Sequence, residues 1–412
     1  MNHSSQAHRP LPYWQQIIMI LTAGWIVIWI YRTVLTPIYP IISEFFGQAS
    51  DAQLGNISSF YFLGYVCMQI PSGMLVDKLG KKQVIIPGFL LFGLGILVVA
   101  TSSTLPVVYI GSIMAGLGCG TFYGVAYSLT TEYVPEHKKS LATAIVNSGT
   151  AIGSGIGLLS SSYLVNQGIL SWQTLLYITI LLVIVMIIVF ARYIKPNLEQ
   201  VIPQTIETPI SQKKLKALFK PQMIAAYILY FSTLYTYYLI DTWLPNFLET
   251  EKGFEGTAVG LASSLVFFVA IPGALAFSFM ADKFPKHKIG LIITLEIIAA
   301  LALLFTVNAS HQTAVVIGII AYGFFGKLAV EPIIIAWLSQ FTNRRSIATT
   351  YGVFNFFGMT ASVIVPSLTG MISDATGSKM YAFYLAAAII FIGTFLFFII
   401  NLFANKNKAI TA

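Results

Sequence analysis

Twelve apolar stretches, each near or above the roughly 20 residues that a helix needs to cross the hydrocarbon core of a bilayer, are set apart in this chain by charged, Pro-rich or Gly-rich breaks. Their approximate limits are 16–40, 54–76, 83–101, 106–131, 140–164, 172–192, 222–247, 257–280, 289–308, 312–338, 346–371 and 380–403. Lipid offers no hydrogen bonds to an open backbone, so only helices and closed barrels cross it. Runs of this length exceed the roughly 10 alternating residues of a barrel strand. A soluble chain carries about 25% charged residues, whereas this one carries 9% against 57% hydrophobic. The sequence therefore predicts an all-α membrane protein with twelve transmembrane helices.

Charge sets the expected orientation. With the N-terminus inside, all but four of the 23 Lys and Arg residues fall in inner loops and tails; Lys252 and Lys379 lie outside, and Arg32 and Lys327 lie within spans. Such asymmetry follows the positive-inside rule and predicts cytoplasmic termini in a plasma membrane; the short tails and compact loops suggest a bacterial inner membrane. The net charge of +8 is then a matter of topology and calls for no nucleic acid. The polar first 15 residues lead into a span too long for a signal-peptide core, so no cleavage is expected there. Cys67 and Cys119 both sit mid-span, which leaves neither a disulfide framework nor a metal cluster.

The two halves echo each other. Leu35-Thr36-Pro37-Ile38-Tyr39-Pro40 matches Ile240-Asp241-Thr242-Trp243-Leu244-Pro245, Asp77-Lys78 matches Asp282-Lys283, and Lys139-Ser140-Leu141-Ala142-Thr143 matches Arg345-Ser346-Ile347-Ala348-Thr349, all at a spacing of 205 or 206 residues. A spacing held across several helices signals duplication into six plus six. The expected organisation is an N-terminal tail (1–15), a six-helix bundle (16–192), a cytoplasmic linker (193–221), a second six-helix bundle (222–403) and a C-terminal tail (404–412). Pro196, Pro203, Pro209 and Pro221 punctuate the linker, and the basic run Lys213 to Phe219 near its end reads as a short interfacial helix.

The segment Gly73-Met74-Leu75-Val76-Asp77-Lys78-Leu79-Gly80-Lys81-Lys82 resembles the signature between helices 2 and 3 of the major facilitator superfamily. A carboxylate at a helix end beside a basic cluster can latch a neighbouring helix end, so Gly73, Asp77, Lys78, Gly80 and Lys81 are candidates for a conformational latch. Arg32 followed by Leu35, Thr36 and Pro40, the run Thr236 to Pro245, and Gly370-Met371-Ile372-Ser373-Asp374-Ala375-Thr376-Gly377 resemble helices 1, 7 and 11 of the anion:cation symporter family, which includes sugar-acid, sialic acid and vesicular glutamate carriers. A related organophosphate antiporter family shares the first-helix arginine. The resemblance implies two pseudo-symmetric six-helix bundles, a site at the bilayer midplane and alternating access. It also departs from the pattern: Tyr31 and Cys119 stand where the family often has the carboxylates associated with proton coupling.

Ionisable groups deep in a span cost roughly 2.5–3.5 kcal/mol on insertion scales, and each needs a partner or a wet cavity. Arg32 offers a planar fork suited to a carboxylate or phosphate, and no acid lies deep in its own half to pair with it. Lys327 and Glu331 are four apart on one helix face and can neutralise each other or separate, Glu331 releasing Lys327 to the substrate when protonated. Asp241, near the outer end of helix 7, reads as a gate, a coupling acid or an interfacial group. Glu296, on a helix usually peripheral in this fold, reads as structural. Helix 7 carries Tyr227, Tyr230, Tyr237 and Tyr238, and helix 4 places Cys119, Tyr123 and Tyr127 four apart; an aromatic stripe is as readily packing as a cavity lining. Tyr123, Tyr127 and Tyr238, with Asn147 on helix 5, are taken as substrate contacts beside Arg32 and Lys327, and Glu331 and Asp241 as coupling or gating groups. The glycines Gly149, Gly153 and Gly157 read as close helix packing. So does Gly116-Leu117-Gly118-Cys119-Gly120, which has no preceding strand to make it a phosphate loop.

With no nucleotide loop, zinc motif or catalytic triad in the sequence, the chain reads as no enzyme and as needing no cofactor. The function expected is secondary transport of a small organic anion (a carboxylate, sugar acid or organophosphate), proton-coupled and monomeric. Efflux of amphipathic drugs and a transporter-like receptor that signals without turnover are the alternatives; flux in proteoliposomes separates the receptor from the other two.

Overall fold

The computed structural model describes residues 11–135, 138–195, 219–341 and 347–411. Most of the expected linker, its basic helix included, lies outside them. Twelve helices long and apolar enough to cross a membrane are present among the described residues. We number them α1 (Tyr13–Val34), α2 (Asp51–Leu79), α3 (Lys81–Thr101), α4 (Leu105–Tyr133), α5 (Lys139–Leu164), α6 (Trp172–Tyr193), α7 (Pro221–Lys252), α8 (Thr257–Lys283), α9 (Lys288–Asn308), α10 (Gln312–Phe325, resuming as Lys327–Leu338), α11 (Ile347–Thr376) and α12 (Met380–Thr411).

Local chemistry explains the helix limits. At the start of α2, Ser50 accepts from Gln53 N–H while the Gln53 side chain accepts from Ser50 N–H, a reciprocal cap. Gly80, at φ 90°, ends α2 and turns the chain directly into α3; a residue with a Cβ would be strained there. Two spans expected to be continuous are interrupted. The first stops at Val34 and continues as a 3₁₀ turn, Thr36–Ile38, and a short helix, Tyr39–Phe45, because Pro37 and Pro40 supply no N–H to a continuing ladder. The tenth breaks at Gly326, so Lys327 opens the second segment. Pro245, at the repeat position of Pro40, sits inside an unbroken α7.

Glycine sets how closely the helices pack. A Cβ on Gly149, Gly153 or Gly157 of α5 would lie 2.6 Å from Thr22 O, 2.5 Å from Ile26 O or 2.3 Å from Thr33 Oγ1 of α1. In α4, a Cβ on Gly116 would meet Tyr61 O of α2 at 2.0 Å, and one on Gly118 would meet the Phe92 backbone of α3 at 2.3 Å. The glycine cluster of α4 thus holds one helix between two others. The two six-helix halves meet mainly through α2 against α11 and α5 against α8. Here too backbones nearly touch: a Cβ on Gly55 would lie 2.2 Å from Pro366 O, and one on Gly370 2.2 Å from Asp51 O.

Overpacking a close crossing costs about 1–3 kcal/mol or more. Gly116→Val is therefore expected to lower the unfolding temperature in detergent by several degrees or abolish folding. Gly290→Ala, where an added Cβ meets nothing within 4 Å, should leave it unchanged; size-exclusion thermal-shift measurement reads both.

Candidate functional site

Arg32 lies in the last turn of α1. Its Nε lies 3.3 Å from Oδ2 of Asp241, on α7 of the other half, with the two side chains 6% and 2% exposed. The acid missing from its own half is supplied across the seam. Asp241 is thereby enclosed within the protein. The guanidinium is boxed by aromatic faces, its Cζ 3.7 Å from the Trp29 ring, 4.0 Å from Phe62 and 5.0 Å from Tyr238, a cation–π environment that replaces some of the lost hydration. The pairing leaves hydrogen-bonding capacity unused: Arg32 Nε and Nη2, Trp29 Nε1 and Asp241 Oδ1 are buried without a hydrogen-bond partner. Beside them a cavity of about 20 Å³, bordered by Arg32, Thr36, Ser58 and Tyr61, has room for roughly one water.

A second charged pair lies nearby. Lys327 and Glu331 meet at 2.8 Å, side chains 16% and 22% exposed, with the i, i+4 geometry that the sequence predicts. Tyr230 of α7 donates to the other oxygen of Glu331 and stacks on Phe354 at 4.0 Å. The Lys327 ammonium stands 5.0 Å from the Tyr237 ring. Tyr237 and Tyr238 touch edge to face at 5.3 Å, so Arg32, Tyr238, Tyr237 and Lys327 form one line between cations of opposite halves. Tyr237, Tyr238 and Asp241 fall within about one turn of α7, which is why a single helix serves both cations.

The other predicted site residues differ in burial and in partners. The Tyr238 hydroxyl donates to Met359 Sδ at 3.1 Å. Tyr123 is 44% exposed and lies near Tyr230 of α7 and Tyr65 of α2, on the side of the site where Tyr230 meets Glu331, while Cys119, one turn away, is fully buried against the Tyr61 hydroxyl at 3.0 Å. The Tyr127 side chain lies outside the described residues. Asn147 is exposed, and its side chain makes no hydrogen bond among the described residues. In the latch segment, Asp77 and Lys78 are exposed and join no ion pair among the described residues. An added Cβ at Gly73 would meet nothing within 4 Å. Lys81 is buried and pairs with Glu132 at the end of α4. Partial burial pushes the Glu132 carboxyl up, but its hydrogen bonds with Lys81 and Tyr133 outweigh this and hold it below the ordinary range.

Sequence reasoning passed over Glu132, Trp29, Phe62 and the end of the seam near Asp51. There the Asp374 carboxylate accepts from Asp51 N–H and Ala52 N–H, both at 2.9 Å, at the start of α2. Asp51 in turn accepts from Lys379 Nζ and Ser373 Oγ at 2.6 Å each. Gln69 and Asn355 join α2 to α11 at 3.2 Å further along, so the seam is closed from the Asp51 end to that level. The acidic position in the Gly370 to Gly377 segment carried the available signal, an acid three residues before a glycine at a helix end.

The Major Facilitator Superfamily model matches residues 21–366 and again 257–410. The chain belongs to the Major Facilitator Superfamily. It is an integral membrane protein of the major facilitator fold, and that family and the relatives below are transporters rather than enzymes. The chain is 24% identical to a D-galactonate transporter of Escherichia coli O6:H1 over 84% of this chain and 86% of that one. It is 20% identical to a hexuronate transporter of Bacillus subtilis over 90% and 91%. Among solved structures, a bacterial homolog of the human lysosomal transporter Spinster, in an inward-facing and occupied conformation, superposes with a TM-score of 0.77 at 16% identity, covering 95% of this chain and 98% of that one.

Partly buried charges that hold each other's compensation should not contribute independently. Lys327→Ala and Glu331→Gln are each expected to destabilise the protein. The double variant should be less destabilised than the sum by about 0.5–3 kcal/mol, measured as a double-mutant cycle of thermal unfolding in one detergent; additive losses would separate the two groups.

Proposed function

We propose that this protein is a secondary transporter of a small organic anion of the sugar-acid class, working by alternating access and coupled to protons, in a bacterial inner membrane with both termini in the cytoplasm. The observation that carries this reading is the Arg32–Asp241 pair: a cation of one half meets a carboxylate of the other, deep in the protein, with guanidinium nitrogens left unbonded. A substrate carboxylate is chemically what Asp241 presents. By taking the fork of Arg32 in bidentate fashion it would displace Asp241 and loosen the tie between the halves, which links binding to rocking. The cavity beside Arg32 holds roughly a water, so a sugar acid requires a state with the halves further apart. The sugar-acid class is supported by the names of the two relatives, carriers of D-galactonate and hexuronate.

Proton coupling is assigned to Glu331. Protonating it unbalances Lys327 and frees a second cation toward the substrate, a local charge change with a conformational consequence. Asp241 is the other carboxylate available to load a proton, and Tyr230 is already bonded to Glu331.

Arg32→Lys is expected to lose most anion uptake in proteoliposomes at equal expression, because an ammonium cannot reproduce the fork; unchanged uptake removes Arg32 from the site. Under an imposed pH gradient, Glu331→Gln should retain exchange of internal for external anion but lose gradient-driven accumulation. A wild type that ignores the gradient would put exchange, uniport or another ion in place of proton coupling.

A further inference from the structure

Glu296 of α9 is 1% exposed, in the middle of an apolar span, and joins no ion pair among the described residues. Its hydrogen bond is with Thr233 Oγ1 of α7. The same hydroxyl lies 3.0 Å from Leu229 O, one turn back on α7. A threonine hydroxyl carries one hydrogen, so it cannot donate to the carbonyl and to a carboxylate at once. Both contacts are satisfied when Glu296 is a neutral acid that donates to Thr233, while Thr233 donates to Leu229 O. When Glu296 is ionised, the Thr233 hydrogen must turn to the carboxylate and the Leu229 contact is given up. An ionised carboxylate with no cation in low dielectric carries a large desolvation cost, so the neutral form suits the resting geometry.

Among the described residues, the surroundings contain no cation paired with Glu296 to change that balance. From α10, Tyr322 faces Glu296, while Lys327 and Glu331 of the same helix are turned to each other. From α7, Tyr230 is bonded to Glu331, and Lys252 is held by Val307 O and Ala309 O at the far end of α9. From α12, Tyr384 donates to Asn308 at that same end, and Tyr381 is exposed. Tyr322 also borders a cavity of about 10 Å³ shared with Tyr237 and Lys327. Tyr322 thus neighbours both Glu296 and the Lys327 side of the candidate site.

We infer that Glu296 is a reversible proton-binding site within the membrane, reached past Tyr322 from the Lys327 cavity and communicated to α7 by the single hydrogen of Thr233. Loading transfers a proton from water to a Glu296 carboxylate oxygen, and unloading returns it. Because threonine back-bonding to the i−4 carbonyl bends helices, loss and recovery of the Leu229 contact would bear on the segment of α7 that carries Tyr237, Tyr238 and Asp241. The site is distinct from Glu331, and its test needs no substrate, so it stands or falls apart from the anion-transport reading.

The experiment is infrared difference spectroscopy of the purified full-length protein in lipid, titrated with pH without substrate. The expected result is a protonated-carboxyl C=O band that titrates in wild type, shifts in heavy water and is absent from Glu296→Gln. A wild-type spectrum unchanged by that substitution, or a Glu296 band that never changes with pH, overturns the proposal. If Glu296→Gln fails to fold, Thr233→Val serves: losing the acceptor should shift the same band to higher frequency, and an unmoved band overturns the proposal equally.

Discussion

Everything at the centre of this molecule is arranged around one guanidinium that lipid will not solvate. Arg32 cannot lose its charge, so the fold must compensate it. It does so with a carboxylate of the opposite half and three aromatic faces. A buried ion pair of this kind is weak evidence of stability, because desolvation consumes much of the attraction, yet removing one partner is costly. The pair therefore suits exchange of one carboxylate for another far better than it suits permanent support. The interrupted end of α1 serves the same group, since stopping the helix at Val34 leaves Arg32 in its last turn, where the carbonyl end of the helix dipole favours a cation.

The rest of the packing lets that seam exist without fixing it. Within the N-terminal half, glycines bring α4 onto both α2 and α3 and α5 onto α1, with backbone against backbone. Between the halves, close glycine contacts recur where α2 meets α11, at Gly55 and Gly370. The charged network of Asp51, Asp374 and Lys379 closes the seam there. Hydrogen bonds at helix ends, part-exposed, can be exchanged for water more readily than an interdigitated apolar core can be opened. Lys379 and Lys252, the cations outside the basic face, are both engaged in helix-end contacts, which accounts for their departure from the charge asymmetry.

The twelve spans and the Lys327–Glu331 pair were legible in the sequence because they depend on length, hydropathy and a four-residue spacing, all local quantities. Arg32 stood out for the same reason, as a charge where lipid forbids one. Its partner did not: Asp241 lies 209 positions along the chain, and only the packing of α1 against α7 brings the two together. The latch motif marked Lys81 as one of a charged cluster at a helix junction but gave no sign of Glu132, the carboxylate that Lys81 meets at the end of α4. The two lie 51 positions apart on different helices, a separation that local spacing does not reveal. The tyrosines of α7 show the same limit. Singling out Tyr238 passed over Tyr237 and Tyr230, which face Lys327 and Glu331, because a helix with nearly every position buried has no polar face to read.

Asp241, on α7, and Glu331 and Glu296, which meet α7 from neighbouring helices, have partners that differ in kind. Asp241 faces a cation that cannot be neutralised; Glu331 faces a lysine, on its own helix, whose charge can be shared or released; Glu296 faces the hydroxyls of Thr233 and Tyr322 and, among the described residues, no ion-pair partner. Each partner sets what a proton would do. At Asp241 a proton would leave Arg32 uncompensated until another anion arrives. At Glu331 it would free Lys327. At Glu296 it would complete a hydrogen-bond pattern without disturbing any cation. A chain lacking carboxylates at Tyr31 and Cys119 is thus not short of proton acceptors. They are gathered around one helix of the C-terminal half, and that helix also supplies the aromatic line from Arg32 to Lys327. Proton and anion would then meet through the same few turns of α7, where a change in the bend of one helix moves the partners of both cations together.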